Sequence, residues 1–112
     1  MLARSNRVTD ARDFRAISRK GRRVSNEHTI LHVVSTGSAP SRFGFIVTKA
    51  VGGAVVRNRV RRRLRAACYS LLPALGVGND VVIRALPASA EAEWSTLQSE
   101  IARGLGSIAR RS

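Results

Sequence analysis

The chain has 112 residues, of which 20 are Lys or Arg and seven are Asp or Glu, giving a formal net charge of +13 at neutral pH. That length supports one hydrophobic core and one domain, 1–112. No apolar run approaches the roughly 18 residues that read as a membrane span, and no apolar segment behind the first residues reads as a secretory signal. The single cysteine, Cys68, cannot close an internal disulfide and reads as a small core residue in a reducing, cytoplasmic setting.

The charge is unevenly placed. Residues 1–65 hold 16 Lys and Arg against three acidic residues, whereas residues 66–112 hold four against four. One surface is therefore set aside for a polyanionic partner.

Residues 1–8 carry Arg4 and Arg7 and read as a flexible basic tail without regular structure. Thr9 or Asp10 can cap a helix over 10–20, with Asp13 favourable in its first turn, Lys20 in its last and Gly21 as terminator. Phe14 and Ile17 share one face, a thin stripe, so Phe14 reads equally as core or as a contact residue. Residues 22–25 suit a short edge strand, 27–35 a longer one, 36–41 a turn, and 42–49 a third strand. On that third strand Phe43, Phe45 and Val47 face one way and Gly44, Ile46 and Thr48 the other. The three strands read as a meander. His28 and His32 would lie about 13 Å apart on a strand, too far to share one ion, and no Cys or carboxylate cluster completes a metal site.

The segment after Gly52-Gly53 carries the charge. A helix over 54–72, ending near Pro73, places Val56, Val60, Leu64, Ala67 and Leu71 within about 40° of Val60. Arg57 and Arg63 then flank the apolar stripe, and Asn58, Arg59, Arg61, Arg62 and Arg65 fan out over the exposed half. Arginines at a helix start oppose the positive end of the helix dipole. A polyanion reverses that penalty, because helix N-terminal amides and guanidinium groups both donate to phosphate oxygens. A solvated basic face is the plainer alternative. Against it, no acidic residue lies between Glu27 and Asp80.

Residues 80–85 form a short buried strand, and a last helix begins at Pro87-Ala-Ser89 with Ser89 as cap. Trp94, Leu97, Ile101, Leu105 and Ile108 give that helix a core-facing stripe. Glu91 and Glu93 beside Trp94 would repel phosphate, so Trp94 is read as core rather than as a base-stacking residue. The order α-β-β-β-α-β-α predicts an α+β fold with one four-stranded sheet and helices packed on it.

Enzymatic constellations are missing from the sequence: there is no paired-carboxylate arrangement, no Ser/His/Asp set, no phosphate-binding P-loop and no Cys/His zinc spacing. Binding of structured RNA is the better-supported role.

Arg42-x-Gly44-Phe-Ile-Val47-Thr-Lys49 followed by Gly53-Ala-Val-Val-Arg57-Asn58-Arg59-Val-Arg61-Arg62-Arg63-Leu-Arg65 resembles the signature of the bacterial ribonuclease P protein component. The resemblance runs from Arg7-Val-Thr-Asp-Ala-Arg-Asp-Phe14 through Asp80-Val-Val-Ile and Pro87-Ala-Ser89, and so spans nearly the whole chain. It implies an accessory subunit, cytoplasmic and needing no protein partner or membrane, that binds a catalytic RNA and precursor tRNA. The RNA carries the Mg²⁺-dependent site that removes the 5′ leader. It further implies that Lys49, Arg57, Asn58, Arg59, Arg61, Arg62 and Arg65 contact the catalytic RNA or help order metal ions near the scissile phosphate, and that Phe14, His32, Ile46 and Thr48 line a leader-binding cleft. The implied fold is a two-layer sandwich with a mixed sheet, similar to the second domain of a small-subunit ribosomal protein. Its βαβ crossover is left-handed, contrary to the general rule.

Three positions depart from the family pattern. Ala50 stands where a second lysine is usual, and Ser18 and His32 stand where aromatics are common. Leader affinity is therefore expected to rest more on backbone electrostatics than on stacking. The rival readings are a ribosomal or general RNA-binding protein without a catalytic RNA, a DNA-binding regulator, and a free-standing nuclease. The regulator lacks a helix just before the basic one, and the nuclease lacks carboxylates.

Overall fold

The structure, a computed structural model, describes residues 2–37 and 39–111, without the side chains of 109–111. Arg110 and Arg111, whose contact with RNA the sequence leaves open, therefore lie outside the described side chains. Helix α1 is Ala11–Lys20, followed by strands β1 (Arg22–Ser25), β2 (Thr29–Ser35) and β3 (Arg42–Ile46). Helix α2 is Ala54–Leu75, β4 is Asn79–Ala85 and α3 is Trp94–Arg111, with 3-10 turns at Arg4–Asn6 and Pro87–Glu91.

The strands are not a meander. Their order is β1-β2-β4-β3, with β4 antiparallel to β2 and parallel to β3. The reason lies in β4 itself: from Asp80 to Ile83 it is buried without alternation, as a strand covered on both faces must be. It takes the interior position, and α2 supplies the crossover that a parallel β3–β4 pair requires. The sheet is mixed and the class α+β, as expected.

Alternation then sorts the side chains. Leu31, Val33, Phe43, Val81, Ile83 and Ala85 face α2 and α3, meeting Val60, Leu64, Ala67, Cys68, Leu97 and Ile101 in the main core. The opposite face carries a smaller cluster, in which Val8, Ile17 and Val82 are joined by Phe14, Val34 and Ile46. Helix α1 lies there, capped by the Asp10 carboxylate, which accepts from the Arg12 backbone N–H.

Several local expectations need correction. Residues 2–8 are not an unstructured tail: Leu2 and Val8 are buried, the Val8 N–H donates to the Phe43 carbonyl at 2.9 Å, and Asn6 Nδ2 donates to the Ser41 carbonyl at 2.8 Å. Two apolar side chains and the unpaired edge of β3 hold the segment. Strand β3 stops at Ile46 because Thr48 begins a turn, its carbonyl accepting from the Val51 N–H and its hydroxyl from the Ala50 N–H. Helix α2 runs through Pro73 to Leu75 and ends at Gly76, whose φ of 72° only glycine adopts readily. Ser89 does not cap a helix; its Oγ donates to the Leu86 carbonyl inside the 3-10 turn, and extended Ala92 separates that turn from α3. Trp94 consequently sits at the start of α3 and is 39% exposed, while Leu97, Ile101 and Ile108 fill the core as expected. Among the described residues, no helix is long and apolar enough to cross a membrane.

Candidate nucleic-acid interface

Helix α2 starts without a side-chain cap at Gly53 and without an acidic residue in its first turn. Its leading N–H groups are therefore left to solvent or to a ligand. Among the described residues, none of the six arginines from Arg57 to Arg65 is ion-paired; the acidic partners go to Arg12, His28 and Arg42.

The arginines divide by direction around the helix. Arg59 and Arg63, one turn apart, reach across to the 3-10 turn before α3, where Arg59 Nη2 donates to the Ala90 carbonyl at 3.1 Å and Arg63 Nη1 to the Ala92 carbonyl at 2.7 Å. Arg59 thus turns back onto the protein rather than fanning into solvent. Those carbonyls have no donor in their own turn, and a guanidinium satisfies them at a distance local sequence does not reveal. On the other flank Arg61 spans the Val47 carbonyl and Asn58 Oδ1, both at 3.4 Å. Arg57 Nε and Arg59 Nε are buried and have no protein partner. Asn58, Arg62, Arg65 and Lys49 are exposed.

A second basic feature lies on the other face of the sheet. Gly44 of β3 underlies the Phe14 ring so closely that a Cβ there would sit 2.6 Å from Phe14 Cε1 and 3.0 Å from Val8 Cβ. The missing side chain thus seats Phe14 on the sheet. Phe14, Ser18 and Ile46, with Arg15, Arg19 and Arg84, line an open cavity of about 440 Å³ between α1 and the strands. Phe14 and Ile46 are brought together as expected. His32 shares the face of Ile30 and Val34, opposite Arg23 on β1 and Val82 on β4, but does not line that cavity, and neither does Thr48, whose hydroxyl serves its turn. Burial, then Arg23 and Arg84, push the His32 imidazole below its ordinary pKa, and its Nδ1 is buried without a partner.

Arg15, Arg19 and Arg84 were not singled out from sequence. The signal was present in the four-residue spacing of Arg15 and Arg19 beside Ser18, and in Arg84 as the basic residue that interrupts the apolar run of β4. Arg42 ties α1 to the sheet. Its Nε and Nη2 grip both oxygens of Asp80 at 3.0 and 2.7 Å, and its Nη1 donates to Asp13 of α1 at 3.2 Å.

A family model described as Ribonuclease P matches residues 2–109. The chain belongs to the ribonuclease P protein family. It is 48% identical over 103 residues to the ribonuclease P protein component of Clavibacter michiganensis subsp. michiganensis, covering 91% of each chain. It is 44% identical to that of Pseudarthrobacter chlorophenolicus, covering 99% of this chain and 82% of the relative. In fold it is similar to a Staphylococcus aureus RNase P protein (TM-score 0.78, 22% identity, 95% of this chain and 96% of that one). The Thermotoga maritima RNase P protein also matches (TM-score 0.78, 23% identity, 88% and 94%). Membership in the ribonuclease P protein family favours that reading over a general RNA-binding protein, a DNA-binding regulator or a free-standing nuclease.

Proposed function

We propose that this chain is the protein subunit of ribonuclease P, binding the catalytic RNA through α2 and the 5′ leader of precursor tRNA through the cavity under α1. The observation that carries the reading is the run of arginines at the start of α2, free of carboxylate partners among the described residues and next to an uncapped helix N-terminus. Exposed Lys49, Asn58, Arg62 and Arg65, with Arg57 and Arg61 beside them, donate to RNA phosphates. Arg59 contributes through the edge that its bond to Ala90 leaves open.

In the cavity, Phe14 is the aromatic among the lining residues and three arginines surround it. His32 and Thr48 extend the leader path along the sheet and past the end of β3. The balance of three cations to one ring supports a leader held mainly by its backbone. Phe14→Ala should therefore cost little at fixed salt while leader affinity falls steeply with salt; a loss above about 1 kcal/mol would contradict this.

Among the described residues, no three His, Cys, Asp or Glu side chains converge to hold a metal. Mg²⁺ held mainly by the RNA would supply an activated water and charge neutralisation at the scissile phosphate. The arginines of α2 gather the RNA phosphates, and no protein partner is required for cleavage in the cytoplasm.

The test is reconstitution of purified protein with ribonuclease P RNA and precursor tRNA at low Mg²⁺. Cleavage at the mature 5′ end that needs both components supports the proposal. Cleavage by protein alone points to a nuclease, and binding without any effect on cleavage points to a general RNA-binding protein.

A further inference from the structure

The outward face of α2 carries more than charge. At about 100° per residue, Val55, Asn58, Arg62, Arg65 and Tyr69 all fall within about 40° of the direction opposite the buried Val60. Val55 is 79% and Tyr69 52% exposed, and both rank among the exposed large apolar side chains of the described residues. Tyr69 is the chain's one tyrosine. It lies one turn, about 6 Å, beyond Arg65 and about 10 Å beyond Arg62 along the axis. An aromatic ring at the end of a stripe of exposed guanidinium groups is the arrangement by which proteins hold an unstacked base while gripping its neighbouring phosphates.

We infer that Tyr69 is a base-stacking contact for the RNA subunit, extending the protein–RNA interface along α2 well past its arginine-rich start, with Arg62 and Arg65 on the phosphates flanking an unpaired nucleotide. The inference rests on the reading of this chain as a ribonuclease P subunit. Charge decides the occupant. No acidic residue occurs anywhere in α2, and a second copy of a chain with a net charge of +13 would bring like charge against like. A folded RNA brings the opposite charge and supplies both phosphates and splayed bases.

The experiment is titration of ribonuclease P RNA, without precursor tRNA, with wild-type protein and with Tyr69→Ala, Tyr69→Leu and Tyr69→Phe, across a series of salt concentrations. Tyr69→Leu keeps bulk and apolar character without a π-face, so it remains informative if alanine perturbs the helix. Both Tyr69→Ala and Tyr69→Leu should weaken binding roughly 5- to 150-fold at fixed salt, the range of a single base–aromatic stack, and leave the salt slope unchanged. Tyr69→Phe should bind like wild type. By contrast, Arg62→Gln and Arg65→Gln should each lower the slope by about one.

Wild-type affinity in Tyr69→Leu, or a loss in Tyr69→Phe equal to that in Tyr69→Ala, overturns the stacking contact. So does self-association in sedimentation that Tyr69→Ala abolishes, which would assign the face to a second copy. If wild-type protein fails to bind the RNA at all, the ribonuclease P reading itself falls. Tight wild-type binding with neutral Tyr69 variants removes only this inference.

Discussion

Replacing Gly44 by alanine sets a methyl group into the space the Phe14 ring occupies. The new Cβ would lie 2.6 and 2.8 Å from Phe14 Cε1 and Cζ, and 3.0 Å from Val8 Cβ, so something must move before ordinary contact at 3.4 Å is restored. Val8 has little room, being buried with its N–H bonded to the Phe43 carbonyl. The half-buried Phe14 ring can turn outward, which surrenders its packing against Ile46 and Val82. Overpacking of this kind costs about 1–3 kcal/mol. Alanine recovers about 0.4–1 kcal/mol by stiffening the unfolded chain, since Gly44 has no positive φ to conflict with a side chain. The net expectation is a loss of about 1 kcal/mol in urea unfolding, seen as a lower midpoint at constant m-value. A double-mutant cycle isolates the cause. In a Phe14→Ala background the main collision is gone, and Gly44→Ala should be neutral or slightly stabilising, for a coupling of about 1–2 kcal/mol. Equal effects of Gly44→Ala in both backgrounds would refute the claim that Gly44 exists to seat Phe14.

The Arg42 bridge should be asymmetric: Arg42→Gln leaves the buried Asp80 carboxylate without its two-pronged partner and should cost about 2–3 kcal/mol, whereas Asp13, 45% exposed, should cost under about 1 kcal/mol as Asp13→Asn. Equal losses in thermal melts would contradict this division. The depressed pKa of His32 means that the unfolded chain takes up the proton more readily, so stability should be constant above the ordinary value of 6.5 and fall as pH drops through it toward the lower folded value. His32→Asn should remove that part of the pH dependence, and an unchanged profile of urea midpoints against pH would count against it. Burial pushes the Cys68 thiol up and shields it fully, so the folded protein should resist alkylation that goes to completion in denaturant. Rapid native-state labelling would show that α2 opens far more readily than its packing implies.

Much of this protein was written locally. The apolar stripe of α2 from Val56 to Leu71, a cap at Thr9 or Asp10, the two opposed faces of β3 and the excess of arginine in the first part of the chain follow from neighbours within a few positions. They announced both the basic helix and its kind of partner, and the motif from Arg42 to Arg65 pointed to the family. Residues 2–8 show where local reading stops, because Leu2 and Val8 are buried only once β3 offers its edge. Tertiary structure alone decided that β4 enters between β2 and β3, that Arg59 and Arg63 spend donors on Ala90 and Ala92, and that Arg15, Arg19 and Arg84 meet around Phe14. Each of these depends on groups some 30 to 70 positions apart in the chain, whose meeting is set by which surfaces must be buried together rather than by the periodicity of any one segment.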